Sequence, residues 1–141
     1  MDKKQDQMNK DLRHYKEHFN NVFKLSEFDC PGFEGSGSKM NKEFLGRLSW
    51  ARILANEPFF INSGYRSKEY NDTLRRLGYP TSPSSSHLTG CAADIRVISS
   101  ASRFNILNAL VAAGFTRIGV GKNFIHVDTD PNKPQNIIWT Y

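Results

Sequence analysis

The chain has 141 residues, room for one compact domain with its own core and too little for two ordinary ones. Lys and Arg total 19 against 14 Asp and Glu, a formal net charge of +5 with a pI near 9.3, which draws a protein toward polyanions such as nucleic acid, anionic membranes or acidic cell-wall polymers. The basic residues are scattered and not interleaved with aromatics, so charge gives no ground for nucleic-acid binding, and no segment is apolar enough to span a membrane.

In chain order, residues 1–20 are polar and read as an appendage to a domain over 21–141, with at most a short amphipathic helix carried by Leu12, Tyr15 and Phe19. The start, Met1-Asp-Lys-Lys-Gln-Asp-Gln, lacks the apolar stretch of a signal peptide, so the expectation is a protein made in the cytoplasm and carried to any external substrate by other means. Val22 to Phe28 is a short apolar run, and the glycines of Pro31 to Ser38 mark an irregular loop. From Asn41, the residues Phe44, Leu45, Leu48, Ala51, Ile53 and Leu54 predict a helix with one face on the core, ended by Glu57-Pro58. Phe59 to Ile61 reads as a buried strand turning at Asn62-Ser-Gly64, and Ser67 caps a helix running through Leu77 and closed by Gly78. Pro80 and Pro83 make residues 79–86 a loop.

Ala92 to Ile98 is a predicted strand, and Ser99 or Ser100 caps a helix on which Phe104, Leu107, Leu110, Val111 and Gly114 keep period. Arg117 to Val120, Phe124 to Thr129 and Ile137 to Tyr141 complete the strands. The order predicts an α+β domain, a small antiparallel sheet flanked by helices. Cys30 and Cys91 belong to no paired metal-ligand spacing and imply no disulfide, and Cys91, between Gly90 and Ala92, reads as filler of a tight buried spot.

Strand alternation places the chemistry. Ala93, Ile95 and Val97 form one face of their strand, so Asp94 points the other way; in the later strand Ile125 and Val127 pack inward while Phe124, His126 and Asp128 share the opposite face. If the two strands are neighbours, Asp94 and His126 converge, and His87 reaches them through the Thr89-Gly90 turn. Two imidazoles and one carboxylate leave a tetrahedral Zn²⁺ with an open fourth position, the coordination of a catalytic rather than a structural zinc. Spacing alone is permissive, since histidines are more often packed or surface residues than ligands. A second pattern, His14-Tyr-Lys-Glu-His18, spells the inverted zincin motif H-x-x-E-H. It stands in the most polar part of the chain, with no scaffold to fix a third ligand, and reads as a solvated helix face.

Ser-Gly-Tyr-Arg-Ser (63–67) with Asn71, Ser-Ser-His-Leu-Thr-Gly-Cys-Ala-Ala-Asp-Ile (85–95), Gly-Phe-Thr-Arg-Ile-Gly-Val-Gly (114–121) and Phe-Ile-His-Val-Asp-Thr (124–129) together resemble the M15 family of zinc peptidases. That family includes D-alanyl-D-alanine carboxypeptidases and dipeptidases, L-alanyl-D-glutamate endolysins and murein endopeptidases, and shares its fold with the hedgehog signalling domain. The resemblance implies Zn²⁺ held by His87, Asp94 and His126, Arg66 beside the substrate, and a fold of the hedgehog/D-Ala-D-Ala-peptidase type. Several members carry a Glu or Asp as general base three residues before the last ligand; here Asn123 stands there, followed by Phe124, and neither takes a proton at neutral pH. Asp128 is then the nearby carboxylate, either as base toward bound water or as a partner that orients His126.

Arg66 reads as a cation for a substrate carboxylate or a tetrahedral oxyanion, a structural salt bridge being the alternative. Tyr65 reads as a packing residue at the cleft wall, and Trp139 and Tyr141 as sheet or core residues rather than a sugar-stacking platform. The resemblance implies a monomeric zinc metallopeptidase that cuts peptidoglycan stem peptides or cross-links, like phage-encoded lytic enzymes. A non-catalytic wall-binding or virion module of the same fold is the alternative.

Overall fold

Asn41 turns the chain into its first long helix. In the computed structural model, which describes residues 2–7, 10 and 22–141, the Asn41 side chain accepts a hydrogen bond from the Phe44 N–H at 2.9 Å and so satisfies one of the unpaired donors at a helix start. The helix, α1 (Lys42–Ala55), stops at Asn56, which adopts left-handed φ of 52°. Phe44, Leu45, Leu48 and Ala51 are buried as expected, but Ile53 and Leu54 are each 43% exposed. At 3.6 residues per turn these two fall opposite Leu48, and Ala55 takes the core position instead.

The first strand starts where the sequence predicts its end. Phe59 is buried and Phe60 is 55% exposed, while β1 (Ile61–Ser63) continues through the residues expected to turn, because its ladder with the next strand runs on to Ser63, opposite Asp94. Ser67 caps α2 (Lys68–Arg76), accepting from the Tyr70 N–H, and Gly78 follows at φ 88°. A loop leads into a 3-10 turn (Ser86–Thr89) and then β2 (Ala92–Arg96).

Ser99 caps α3 (Ser100–Ala112) as expected, but the helix is rotated from the predicted face. Ile106, Ala109, Leu110 and Ala113 are buried, whereas Phe104 is 72% and Val111 50% exposed. A polar anchor accompanies this rotation: Asn105 Nδ2 donates to the Ala55 carbonyl at 2.8 Å and to Glu57 Oε1 at 2.7 Å, and Ser102 Oγ donates to Glu57 Oε2. The anchored side of α3 therefore faces the end of α1.

The remaining strands are β3 (Arg117–Val120), β4 (Phe124–Asp128) and β5 (Ile137–Thr140), in a sheet of order β1-β2-β4-β3-β5. All pairings are antiparallel except the last, where β5 joins parallel to β3. The crossover that this parallel pairing requires consists of β4 together with segment 129–136, which carries the chain past β3 to its other edge. The domain is α+β as predicted. Ala93, Ile95, Ile118, Ile125 and Val127 join the α1 and α3 side chains in one buried cluster, each fully buried Ile or Val contributing about 1.5–3 kcal/mol. That cluster takes one face of the central strands and leaves the other for polar side chains.

Candidate metal centre

Asp94 and His126 are directly opposite in the β2–β4 ladder, on the face away from the apolar cluster, as the alternation predicts. His87 comes from the 3-10 turn, closed by Gly90 at φ 73°. A side chain at Gly90 would also meet the Lys39 carbonyl at 2.5 Å, so the turn lies flush against the start of α1. The three residues offer ligand atoms within 4.8 Å of one another: His87 Nε2 is 3.4 Å and His126 Nδ1 2.9 Å from Asp94 Oδ1.

The other ring nitrogens decide what these atoms can do. His87 Nδ1 lies 2.7 Å from the Gly64 carbonyl oxygen, which only accepts, so Nδ1 carries the proton and Nε2 a lone pair. His126 Nε2 donates in the same way to Asp128 Oδ2 at 2.7 Å, leaving Nδ1 toward Asp94. Two imidazole lone pairs and a carboxylate aimed at one point repel each other unless a cation sits among them, and a ring whose second nitrogen is held by a carbonyl or carboxylate is the usual state of a metal-bound histidine. The donor set fits a divalent metal.

Electrostatics agree. Burial lowers the His87 pKa against the smaller opposing pull of Asp94, keeping the ring in its neutral, ligating form. Burial also works against a charged His126, but hydrogen bonds to Asp128 and Asp94 outweigh it and raise its pKa; a proton on Nδ1 and a metal compete for the same position. Asp94 and Asp128 are penalised by burial yet held below the usual carboxylate range, Asp94 by His126 and His87, Asp128 by His126 and Arg117.

Arg66 follows β1 and reaches the same place. Its Nε donates to Ser63 Oγ at 3.1 Å, Nη1 to Thr81 Oγ1 at 3.1 Å and Nη2 to Asp94 Oδ2 at 3.4 Å, so it both pairs with a ligand and lines the cleft. Thr81 in turn donates to the buried Asn71. The cleft holds about 600 Å³ and is bordered by the three candidate ligands, Arg66, Trp139 and Tyr141 among others.

The sequence model of the peptidase M15 family matches residues 12–128. The chain belongs to the M15 peptidase family. A comparison with curated proteins found no match. M15 peptidases are metal-dependent, and the matched span of this one contains His87, Asp94, His126, Arg66 and Asp128 and ends with β4.

In this M15 peptidase Asp128 is 1% exposed. Its Oδ1 accepts from Arg117 Nε at 2.7 Å and from the Asp130 N–H at 3.0 Å, and its Oδ2 from His126. Asn123 is exposed, and its backbone carbonyl accepts from the N–H of the core residue Val97. Tyr65 packs against the core. Trp139 lies in β5, its ring 5.6 Å from His126, and Tyr141 is 62% exposed beside it; both wall the cleft, a position not foreseen from sequence. Cys30 and Cys91 are buried free thiols. The H-x-x-E-H pattern at His14 to His18 lies outside the described residues, as does the helix expected at Leu12 to Phe19.

Three features of the centre escaped sequence reasoning: the Gly64 carbonyl, Arg117 and a clasp behind His87. In that clasp Ser86 Oγ donates to Asp130 Oδ2 at 2.8 Å, and Lys133 Nζ donates to the Ser84 carbonyl at 2.8 Å and to Ser86 Oγ at 2.9 Å. Gly64 and Arg117 stand within the family-like segments, but a backbone carbonyl has no side-chain signature and an isolated arginine suggests only a surface charge. Among the described residues, no helix is long and apolar enough to cross a membrane.

Proposed function

We propose that the protein is a zinc-dependent peptidase that hydrolyses peptidoglycan stem peptides or their cross-links, as a monomer and without nucleic-acid or membrane partners. The observation that carries this reading is the pair of imidazoles with fixed tautomers, His87 and His126, whose free nitrogens face one Asp94 oxygen inside a cleft. Three protein ligands leave a coordination position open, the mark of a catalytic site. When bound, zinc would supply Lewis acidity toward a peptide carbonyl and lower the pKa of water in the site toward ~7.

The chain's own residues supply the rest. Asp128 orients His126; with both oxygens engaged and 1% exposure it is badly placed to take a proton from the cleft. Three of the N–H donors of Arg66 are occupied, which leaves others for a substrate carboxylate or a developing oxyanion. The net charge of +5 favours approach to an anionic wall. The test is incubation of the protein with purified peptidoglycan: new free amino groups are expected, and their release should stop with a chelator and resume with added zinc. Mass spectrometry of the fragments identifies the bond.

A second reading, a zinc-holding wall-binding module without turnover, is favoured by one observation, that Asn123 stands where several M15 enzymes carry an acid and Asp128 is fully engaged. Binding of the zinc-loaded protein to peptidoglycan with no amino-group release would establish that reading over the first.

A further inference from the structure

Arg117, 6% exposed, is the one buried Lys or Arg among the described residues, and it touches none of the candidate ligands through a hydrogen bond. Its Nε donates to Asp128 Oδ1 at 2.7 Å and its Nη1 to the Pro134 carbonyl at 2.6 Å, while its guanidinium carbon lies 5.1 Å from the centre of the Trp139 ring. A guanidinium removed from water needs such compensation on every side, and here the partners lock its plane. We propose that Arg117 is a positioning residue for the metal centre: it fixes the Asp128 carboxylate so that Asp128 in turn holds His126 with Nδ1 toward the metal. The inference rests on the reading that His87, Asp94 and His126 bind zinc.

Two physical effects carry it. With Oδ1 held from β3 by Arg117 and from the chain ahead by the Asp130 N–H, the carboxylate cannot turn about its axis, and Oδ2 stays 2.7 Å from His126 Nε2. The charge effect is separate. Asp94 and Asp128 flank one imidazole, on its Nδ1 and Nε2 sides, and the Arg117 cation offsets the second of these buried carboxylates. A lysine supplies the charge but not a planar fork that serves Asp128 and Pro134 together while lying against an indole.

The experiment compares wild type, Arg117→Gln and Arg117→Lys in the full chain, with folding in chelator checked by circular dichroism. Cobalt(II) titration followed by its visible absorption measures affinity and ligand geometry, and ¹⁵N NMR of the histidine rings, at a pH where His126 is neutral, reads the tautomer. Arg117→Gln is expected to bind cobalt about 10- to 100-fold more weakly, with an altered visible spectrum and a mixed His126 tautomer, and Arg117→Lys to fall between it and wild type. Wild-type cobalt affinity and spectrum in Arg117→Gln overturn the proposal whatever its melting temperature, as does weakened affinity with an unchanged tautomer, which marks general destabilisation. Should Arg117→Gln fail to fold, Arg117→Lys is read by the same criteria. If no protein binds cobalt, the zinc reading falls, and the NMR result in Arg117→Gln still decides the positioning role.

Discussion

The Gly64 carbonyl accepts the Nδ1 proton of His87 at 2.7 Å, and Gly64 can sit there only because it lacks a side chain. A Cβ at this position would lie 2.6 Å from both Cα and Cβ of Phe28, which is buried and cannot move aside cheaply. Gly64→Ala is therefore expected to lose about 1–3 kcal/mol of stability and to weaken metal binding by turning the carbonyl away from His87. Urea denaturation and metal titration on the same variant check both. Destabilisation with wild-type metal affinity would mean that the carbonyl does not hold the ring.

Asp128→Asn separates orientation from proton transfer. The amide oxygen can still accept from His126, but its NH₂ then faces the Arg117 guanidinium and the Asp130 N–H, donor against donor. Metal affinity should fall about 10- to 100-fold, and peptidase activity should return at saturating zinc. Activity still absent when zinc occupancy is complete would make Asp128 the base. His126→Ala, which removes a ligand, should bind no zinc at concentrations that saturate wild type.

Arg66→Ala should leave zinc bound, since Arg66 contacts Asp94 from the side of Oδ2 while both histidines face Oδ1. The expected loss is about 10²- to 10³-fold in kcat, the usual cost of removing one donor to a developing oxyanion. Steady-state kinetics with a defined muropeptide separates this from carboxylate binding, which would raise KM and leave kcat near wild type.

In chelator, stability should be greatest near about pH 6.5, decline on either side of it, and fall steeply below about pH 4. Asp94 and Asp128 have folded pKa values depressed by their histidine and arginine partners, so their contribution is complete above the unfolded value of about 4 and is lost as pH drops through the folded ones. The histidines act on opposite sides of about pH 6.5. His87, depressed by burial, costs stability as pH falls below about 6.5, whereas the stability supplied by His126, raised by its two carboxylates against burial, is complete below about 6.5 and is lost as pH rises above it. Urea midpoints measured against pH test this; a midpoint that stays level from about pH 6.5 to about 5 would show that His87 is not held neutral in the folded protein.

The centre was legible where a period-two pattern fixes side-chain direction. Ile95 and Val97 beside Asp94, and Ile125 and Val127 around His126, assign both ligands to one sheet face before any register is known. The rotation of α3 was not legible, because Phe104 and Val111 keep helical period as well as Ile106 and Ala109 do, and an anchor at Asn105 to Ala55, 50 residues away, accompanies the face that is buried. The parallel docking of β5 was hidden for a related reason. Ile137 to Tyr141 reads as a strand in either direction, and its partner is set by where segment 129–136 travels. Arg117 and Gly64 act through atoms whose roles exist only once β3, β4 and the residues after β1 are together.

The Ser86–Asp130–Lys133 clasp gives the three candidate ligands unequal mechanical footing. Asp94 and His126 are locked by the β2–β4 ladder, but His87 takes its place from a short turn tethered to the segment between the last two strands. Insertions or deletions around residues 131–136 would therefore act at a distance, detuning one histidine while the strand-borne pair keeps its register. Loop grafting between relatives should respect that segment as part of the support for His87.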